Sequence, residues 1–378
     1  MQLIQQVQEV AVSPLGVAEA LPFKAFHDAE YFSVELARVF KEDWVFVCMD
    51  ADLAKPGDYQ GLNIAGEAIV VLRTKEGSLR ALSNVCRHRG VVMLQGAGNL
   101  ATGKLVCPYH AWTYEDDGTL RAVPHTGSVE VRKEEHCLPS FRVESWHGFV
   151  FVTLNDDAPP LAQRFRGLEM HLEPYATDSF SHALPTSTSV WNANWKLAIE
   201  NFVEGYHFFA VHKNTVETAA STRDCFYVDG NADWSVTGGK QAGYPTDILG
   251  WIKGAATETH YLSIHMPPNL VINLYGGHLG WARVLPTEPD QVEVTTGYAS
   301  ARPLGQFMSG LGQRIFGSID RKIFAEDQAI CERAQKGVRS ERSKGGQLVE
   351  LERAVINFHQ YLAKRLAGTD FNEKACPE

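Results

Sequence analysis

Short apolar runs, set off by polar and turn residues, mark the first part of the chain. Ile69-Val70-Val71-Leu72 and Phe149-Val150-Phe151-Val152 are rich in β-branched and aromatic residues, and each predicts a short strand. Between them Asp117-Gly118 reads as a tight hairpin turn, because glycine tolerates the positive φ such turns need. The pattern predicts a small antiparallel β region whose loops carry the residues lying between the runs. Further along the period changes. The segment 195–206 reads as a helix with Leu197, Ile199 and Val203 as its buried positions, and 318–336 reads as a second helix.

At 378 residues the chain has room for two domains with separate cores. A composition of 44% hydrophobic and 21% charged residues is that of an ordinary globular enzyme. The net charge of −10, with no block of lysine and arginine, argues against nucleic acid as a partner. No apolar run approaches the length of a membrane span, and the opening Met1-Gln2-Leu3-Ile4 lacks the order of a secretory signal, so a cytoplasmic location is expected.

Two short motifs bring in metal chemistry. Cys86-Arg87-His88 is followed, after eighteen residues, by Cys107-Pro108-Tyr109-His110. The alternating order Cys, His, Cys, His suits a pair of irons in which both cysteines serve one iron and both histidines the other, the Rieske form of a [2Fe–2S] centre. A structural zinc site could take the same four residues, although zinc modules more often pair Cys with Cys and His with His. Of an odd total of seven cysteines, the remaining five (Cys48, Cys137, Cys225, Cys331 and Cys376) read as reduced thiols rather than a disulfide framework. His125, His136 and His147 have no evident pairing.

His207 and His212 stand five apart, which an undistorted helix would separate by roughly 140°. Both can face one metal only if the helix bulges or ends between them; otherwise they are two unrelated histidines. On the second predicted helix, Glu326 and Asp327 are neighbours pointing in different directions, so one of them could complete a 2-His-1-carboxylate facial triad.

These residues together resemble the catalytic subunit of Rieske non-haem iron oxygenases. The likeness rests on Phe40-x-x-x-Trp44-x-x-Val47, on Asn84 to Gly90 and Cys107 to Tyr114, on Asn194-Trp195-Lys196 with Glu200-Asn201, on the two histidines, and on Glu326-Asp327-x-x-Ile330-x-Glu332-x-x-Gln335. The resemblance implies that Cys86, His88, Cys107 and His110 bind the cluster. It assigns His207, His212 and Asp327 to a mononuclear iron(II), choosing Asp327 over Glu326. It implies an α+β fold: a Rieske antiparallel β domain inserted near the N-terminus of a helix-grip catalytic domain, an antiparallel sheet wrapped around helices. The expected division is 1–42 as an N-terminal helical segment packing on the catalytic domain, 43–155 as the Rieske domain and 156–378 as the catalytic domain. Expected catalytic strands are 186–190, Leu270–Tyr275, 278–285 and 292–298, with Pro286 to Asp290 as a turn or loop.

Members of this family assemble head to tail as trimers, with an acidic residue joining a cluster histidine of one subunit to an iron histidine of the next. By position these are His110, Glu204 and His207, with Glu204 three residues before His207 and so within reach of it. Ring-hydroxylating members usually carry Asp at the bridge; a Glu resembles the branch acting on quaternary ammonium compounds such as carnitine. Asn201 matches a family position near the iron. Phe202, Phe208, Phe209, Tyr275 and Trp281 are the expected pocket, where aromatic faces would hold a trimethylammonium group by cation–π attraction, up to about 2 kcal/mol. The same rings would suit an aromatic substrate of a ring-hydroxylating dioxygenase. His278 and Arg283 lie on a candidate strand, and an inward Arg283 would imply a carboxylate on the substrate. No Gly-rich dinucleotide fingerprint is present in a suitable context, so NAD(P)H electrons for O2 chemistry are expected from a separate flavin or iron–sulfur reductase, with or without a ferredoxin. A homotrimer without a β subunit is expected. An electron carrier or a zinc-bound binding module is the reading that would leave His207, His212 and Asp327 without a purpose.

Overall fold

The computed structural model describes residues 2–240, 260–275, 278–301 and 310–367. The chain forms two compact units, one of residues 40–164 with 177–183, the other of the described parts of 1–39, 165–176 and 184–378.

The first unit is built on ten strands: β1 (Val45–Met49), β2 (Asp58–Ile64), β3 (Glu67–Arg73), β4 (Leu79–Ser83), β5 (Ala97–Asn99), β6 (Leu105–Val106), β7 (Thr113–Tyr114), β8 (Leu120–Ala122), β9 (Ser140–Trp146) and β10 (Phe149–Thr153). Seven form one antiparallel sheet in the order β1-β10-β9-β4-β3-β2-β5, and β6-β7-β8 form a smaller one. The apolar runs of β3 and β10 are buried along their length, which is why they read as continuous rather than alternating. The turn at Asp117-Gly118 is present, with Gly118 at φ +88° and its N–H donated to the Glu115 carbonyl. Trp44 and Phe40 are core residues here, and the Trp44 indole donates to the Pro159 carbonyl at 2.7 Å. Beside them Asp43 and Arg164, both buried, form a two-pronged ion pair at 2.9 Å that ties the start of the unit to residue 164.

The second unit holds helices α1 (Gln2–Ala11), α2 (Ala29–Glu35), α3 (Trp195–Phe202), α4 (Phe208–Val211), α5 (Gly310–Gly337) and α6 (Arg353–Ala367). Its strands are β11 (Ser187–Trp191), β12 (Cys225–Gly230), β13 (Ser235–Lys240), β14 (His260–Met266), β15 (Leu270–Tyr275), β16 (His278–Glu288) and β17 (Gln291–Ser300). They pair antiparallel in the order β11-β17-β16-β15-β14-β13-β12. Strand β16 runs past the expected loop at Pro286, because a register shift between Pro286 and Glu288 absorbs the proline within the sheet and leaves only Pro289-Asp290 to turn.

Helix α3 begins where Asn194 accepts the Lys196 N–H at 3.0 Å. It stops at Phe202, four residues earlier than the sequence predicts. Glycine follows at 205, and the Glu204 carboxylate accepts the backbone N–H groups of Tyr206 and His207, which removes them from the helical ladder. Of the positions expected to be buried, Ile199 and Val203 are, while Leu197 is half-buried. The polar residues after Asp327 fasten α5 to this segment: Glu332 accepts the Asn192 N–H at 3.1 Å and Gln335 accepts the Asn194 N–H at 2.8 Å. Among the described residues no helix is long and apolar enough to cross a membrane.

Candidate metal centres

Two loops of one form carry the alternating cysteines and histidines. In each, the N–H four residues after the cysteine returns to that cysteine's carbonyl (Gly90 to Cys86, 3.0 Å; Ala111 to Cys107, 3.0 Å), and the residue closing the turn has positive φ, +73° and +53°. The thiols of Cys86 and Cys107 sit in the hydrophobic core with Trp112, Tyr114 and Leu105, whereas the imidazoles of His88 and His110 are exposed at the loop tips. The two imidazoles are 4.7 Å apart between ring centroids, and His88 stacks on Trp112 at 4.8 Å. The Tyr114 hydroxyl accepts the Arg87 N–H at 3.0 Å and lies 3.4 Å from the Cys86 sulfur, to which it can donate. Burial raises the Cys86 thiol and the Tyr114 phenol above their ordinary pKa, while the tyrosine hydrogen bond favours the Cys86 thiolate. Two dry sulfurs facing two wet imidazoles fit a two-iron cluster with sulfides between. Among the described residues a different set brings three potential ligand atoms within 4.8 Å of one another.

That set is His207, His212 and Asp327. The histidines flank the single turn of α4, one on each side, so the early end of α3 places both where a continuous helix could not. Asp327 reaches them from α5. Its Oδ1 lies 2.8 Å from His212 Nε2 and 3.6 Å from His207 Nε2, without hydrogen-bond geometry to either. The other imidazole nitrogens are occupied. His207 Nδ1 lies 2.6 Å from Glu204 Oε1, and His212 Nδ1 lies 2.9 Å from Glu326 Oε2, which also accepts from the Thr215 hydroxyl at 2.6 Å. A carboxylate can only accept, so Nδ1 carries a proton and Nε2 is the nitrogen that would give its lone pair to a metal, on losing its own proton. Burial works against charge on His207, but Asp327 and Glu204 outweigh it and bring its pKa to about 9. His212 is likewise raised, against burial, by Asp327 and Glu326, and the two histidines hold Asp327 low in spite of its burial. Three converging donors around an unbonded buried carboxylate oxygen fit an iron(II) with open positions.

The donors open onto a cavity of about 200 Å³. Asn201, Phe202, Phe208, Tyr275 and Trp281 line it, and the Asn201 Oδ1 is buried without a hydrogen-bond partner. Two expected pocket residues are elsewhere. Phe209 is 52% exposed, since the turn of α4 directs it outward against Tyr206. Arg283 is buried but outside the cavity, where it meets Thr295 at 3.2 Å and Glu293 at 3.6 Å across the β16–β17 pair. The side chain of His278 lies outside the described residues. Sequence reading also missed Tyr261, Tyr298, Asp320 and Phe324, which line the cavity from β14, β17 and α5. Glu326, weighed only as a rival ligand, instead orients His212. Gly205 is required by packing, because a Cβ there would stand 2.6 Å from the Cys225 sulfur. His136 meets the Arg132 carbonyl at 2.8 Å and packs edge-on at 5.5 Å against Trp112, the ring on which His88 stacks, while His147 meets Asp178 at 3.2 Å.

Residues 182–368 match the family Ring hydroxylating alpha subunit (catalytic domain), and residues 43–142 match the Rieske [2Fe-2S] domain. The chain is similar to the glycine betaine monooxygenase oxygenase subunit of Chromohalobacter salexigens, with 37% identity over 194 residues, 51% of this chain and 43% of that protein. It is also similar to the large oxygenase component of the naphthalene 1,2-dioxygenase system of Pseudomonas putida, with 34% identity over 201 residues, 51% of this chain and 44% of that one. The chain spans about half the length of the curated relatives it matches. Among solved structures, a quaternary ammonium Rieske monooxygenase described for carnitine oxidation and inter-subunit electron transfer superposes with a TM-score of 0.82 at 22% identity, covering 95% of this chain and 98% of the other. At that identity the likeness bears on the fold.

Proposed function

Because the chain belongs to the Rieske non-haem iron oxygenase family, we propose that it is the terminal oxygenase component of a multicomponent system that hydroxylates a quaternary ammonium compound next to nitrogen, leading to demethylation or C–N cleavage. The observation that carries this reading is the convergence of His207, His212 and Asp327 on an aromatic-walled cavity. The relative named for glycine betaine supports the substrate class, as does Glu at 204.

When bound, iron(II) at His207, His212 and Asp327 would supply O2 activation, and a [2Fe–2S] cluster at Cys86, His88, Cys107 and His110 would supply electrons. The protein's own work is to hold these donors and the substrate. Glu204 and Glu326 fix the imidazole protons at Nδ1 and so keep both rings oriented. Phe202, Phe208 and Trp281 exclude water from the reacting volume, and Asn201 offers an unpaired amide oxygen at its edge.

Electrons from NAD(P)H arrive in this reading through a separate flavin or iron–sulfur reductase, directly or by way of a ferredoxin, in the cytoplasm. The assembly is a head-to-tail homotrimer in which Glu204 joins His110 of one subunit to His207 of the next; its side chain is only 10% exposed and already holds His207. The test is oxygen uptake by the iron-loaded protein with a surrogate reductase and NADH. Choline, carnitine, glycine betaine and stachydrine are compared with benzoate-like and polycyclic aromatics, and products are identified by mass spectrometry. Coupled uptake yielding a dealkylated or cleaved amine is expected. A cis-diol from an aromatic would make the chain a ring hydroxylase, the reading favoured by the likeness to the naphthalene enzyme.

A further inference from the structure

We propose that Asp320 is the counter-ion for the positive nitrogen of the substrate, and that the cavity selects an organic monocation rather than a zwitterion. The inference rests on the ammonium reading above and narrows it.

The charge inventory of the cavity is lopsided. Its acidic lining residues are Glu204, Asp327 and Asp320, and among the described residues no lysine or arginine lines it. Glu204 is taken by His207, and Asp327 faces both imidazoles. Asp320 is the remaining carboxylate. It accepts a hydrogen bond from the Tyr298 hydroxyl through Oδ1. Among the described residues it has no ion pair and no second side-chain hydrogen bond, and its chain neighbour Arg321 acts on it only at a distance, so a carboxylate in a mostly buried position lacks a directly paired cation. Burial raises its pKa, with the Tyr298 hydrogen bond and the charge of Arg321 opposing. A metal ion would find one carboxylate and a phenol there, too few ligands for a dedicated site. An ammonium group would find a carboxylate in the same cavity as the rings of Tyr275, Trp281 and Phe324.

The spacing suits the reaction. Asp320 and Asp327 are seven residues apart on α5, which is nearly two full turns, so they share a face roughly 10 Å apart along the axis. A nitrogen held at Asp320 directs its methyl groups along that face toward the triad. A substrate carboxylate, by contrast, would find no lysine or arginine among the described lining residues, since Arg283 is engaged outside and the imidazoles of His207 and His212 are already matched by Glu204, Glu326 and Asp327. A buried unpaired carboxylate is disfavoured.

The test is binding to the full-length protein by calorimetry, without reductant. The probes are choline, its neutral isostere 3,3-dimethylbutan-1-ol, glycine betaine and naphthalene. We expect choline to bind at least tenfold more tightly than the isostere and than glycine betaine. Asp320→Asn should remove that advantage while leaving the isostere unchanged, and Tyr298→Phe should weaken choline less. The wild-type comparison stands even where a variant fails to fold. Equal binding of choline and its isostere, or tighter binding of glycine betaine, overturns the monocation assignment. Tight choline binding that survives Asp320→Asn removes Asp320 as counter-ion and leaves the ammonium reading intact. Binding of naphthalene with none of the nitrogen compounds overturns both.

Discussion

Glu326 accepts a hydrogen bond from His212 Nδ1 at 2.9 Å, while its neighbour Asp327 faces the other nitrogen of the same ring at 2.8 Å. Adjacent carboxylates on one helix thus grip one imidazole from both sides, one as orienting partner and one as candidate metal ligand. The two roles make different predictions. Asp327→Ala should lower the mononuclear iron content sharply and leave the visible spectrum of the cluster unchanged. Glu326→Ala should weaken iron binding by about 10- to 100-fold, the usual cost of losing an orienting partner, with full loading recovered at excess iron. Normal iron content in Asp327→Ala would exchange the two assignments. Iron analysis alongside the cluster absorbance decides it.

Glu204 is held by three contacts, to the backbone N–H groups of Tyr206 and His207 and to His207 Nδ1. A glutamine retains one acceptor oxygen, enough for the two backbone N–H groups now held by Oε2 but not also for His207 Nδ1, now held by Oε1, so Glu204→Gln should keep the loop and, at saturating iron, both metals, while loosening the hold on the His207 ring. It removes the negative charge from the proposed link between subunits. Steady-state coupled oxygen uptake is expected to fall by roughly 10- to 100-fold with metal content unchanged. Full activity in this variant would sink the bridge.

Legibility in the sequence followed the range of the interactions. Loop ligands were readable because Cys86, His88, Cys107 and His110 are set by local turns, each closed by a four-residue hydrogen bond. Strands such as Leu270–Tyr275 were readable because their own apolar residues determine them. The end of α3 was not, since it depends on a side chain, Glu204, capturing the N–H groups that follow. Phe209 and Arg283 were misplaced for a related reason. Which way a ring leaves a one-turn helix, or an arginine leaves a strand, is decided by neighbours distant in sequence such as Glu293. Asp320 went unnoticed because only the cavity gives it meaning.

Lys196 and Glu35 form a fully buried pair at 2.7 Å, with the Trp195 indole donating to the same carboxylate. Burial pushes Glu35 up and Lys196 down in pKa, each opposed by the other's charge. The pair ties α2 to the first turn of α3, the helix that leads to the metal loop. Lys196→Met leaves Glu35 buried and unpaired, which should cost about 3–5 kcal/mol. Replacing both, as Lys196→Met with Glu35→Leu, should recover most of that loss, because two apolar side chains bring no desolvation penalty. Urea denaturation of the two variants measures it; equal destabilisation in both would mean that packing rather than charge is at stake.

Tyr114 donates toward the Cys86 sulfur from a hydroxyl pinned by the Arg87 N–H. Hydrogen bonds to cluster sulfurs draw electron density from the irons and raise the reduction potential. Tyr114→Phe keeps the ring, which is fully buried in the core, and removes only the hydroxyl. The cluster should form with its ordinary spectrum, and its potential should fall by an amount on the order of tens of millivolts. A lower potential makes the cluster harder to reduce, so its reduction by the donor should slow while iron content at His207, His212 and Asp327 stays constant. Redox titration followed by optical spectroscopy reads the shift directly. An unchanged potential would mean that the Tyr114 hydroxyl serves the Arg87 backbone alone.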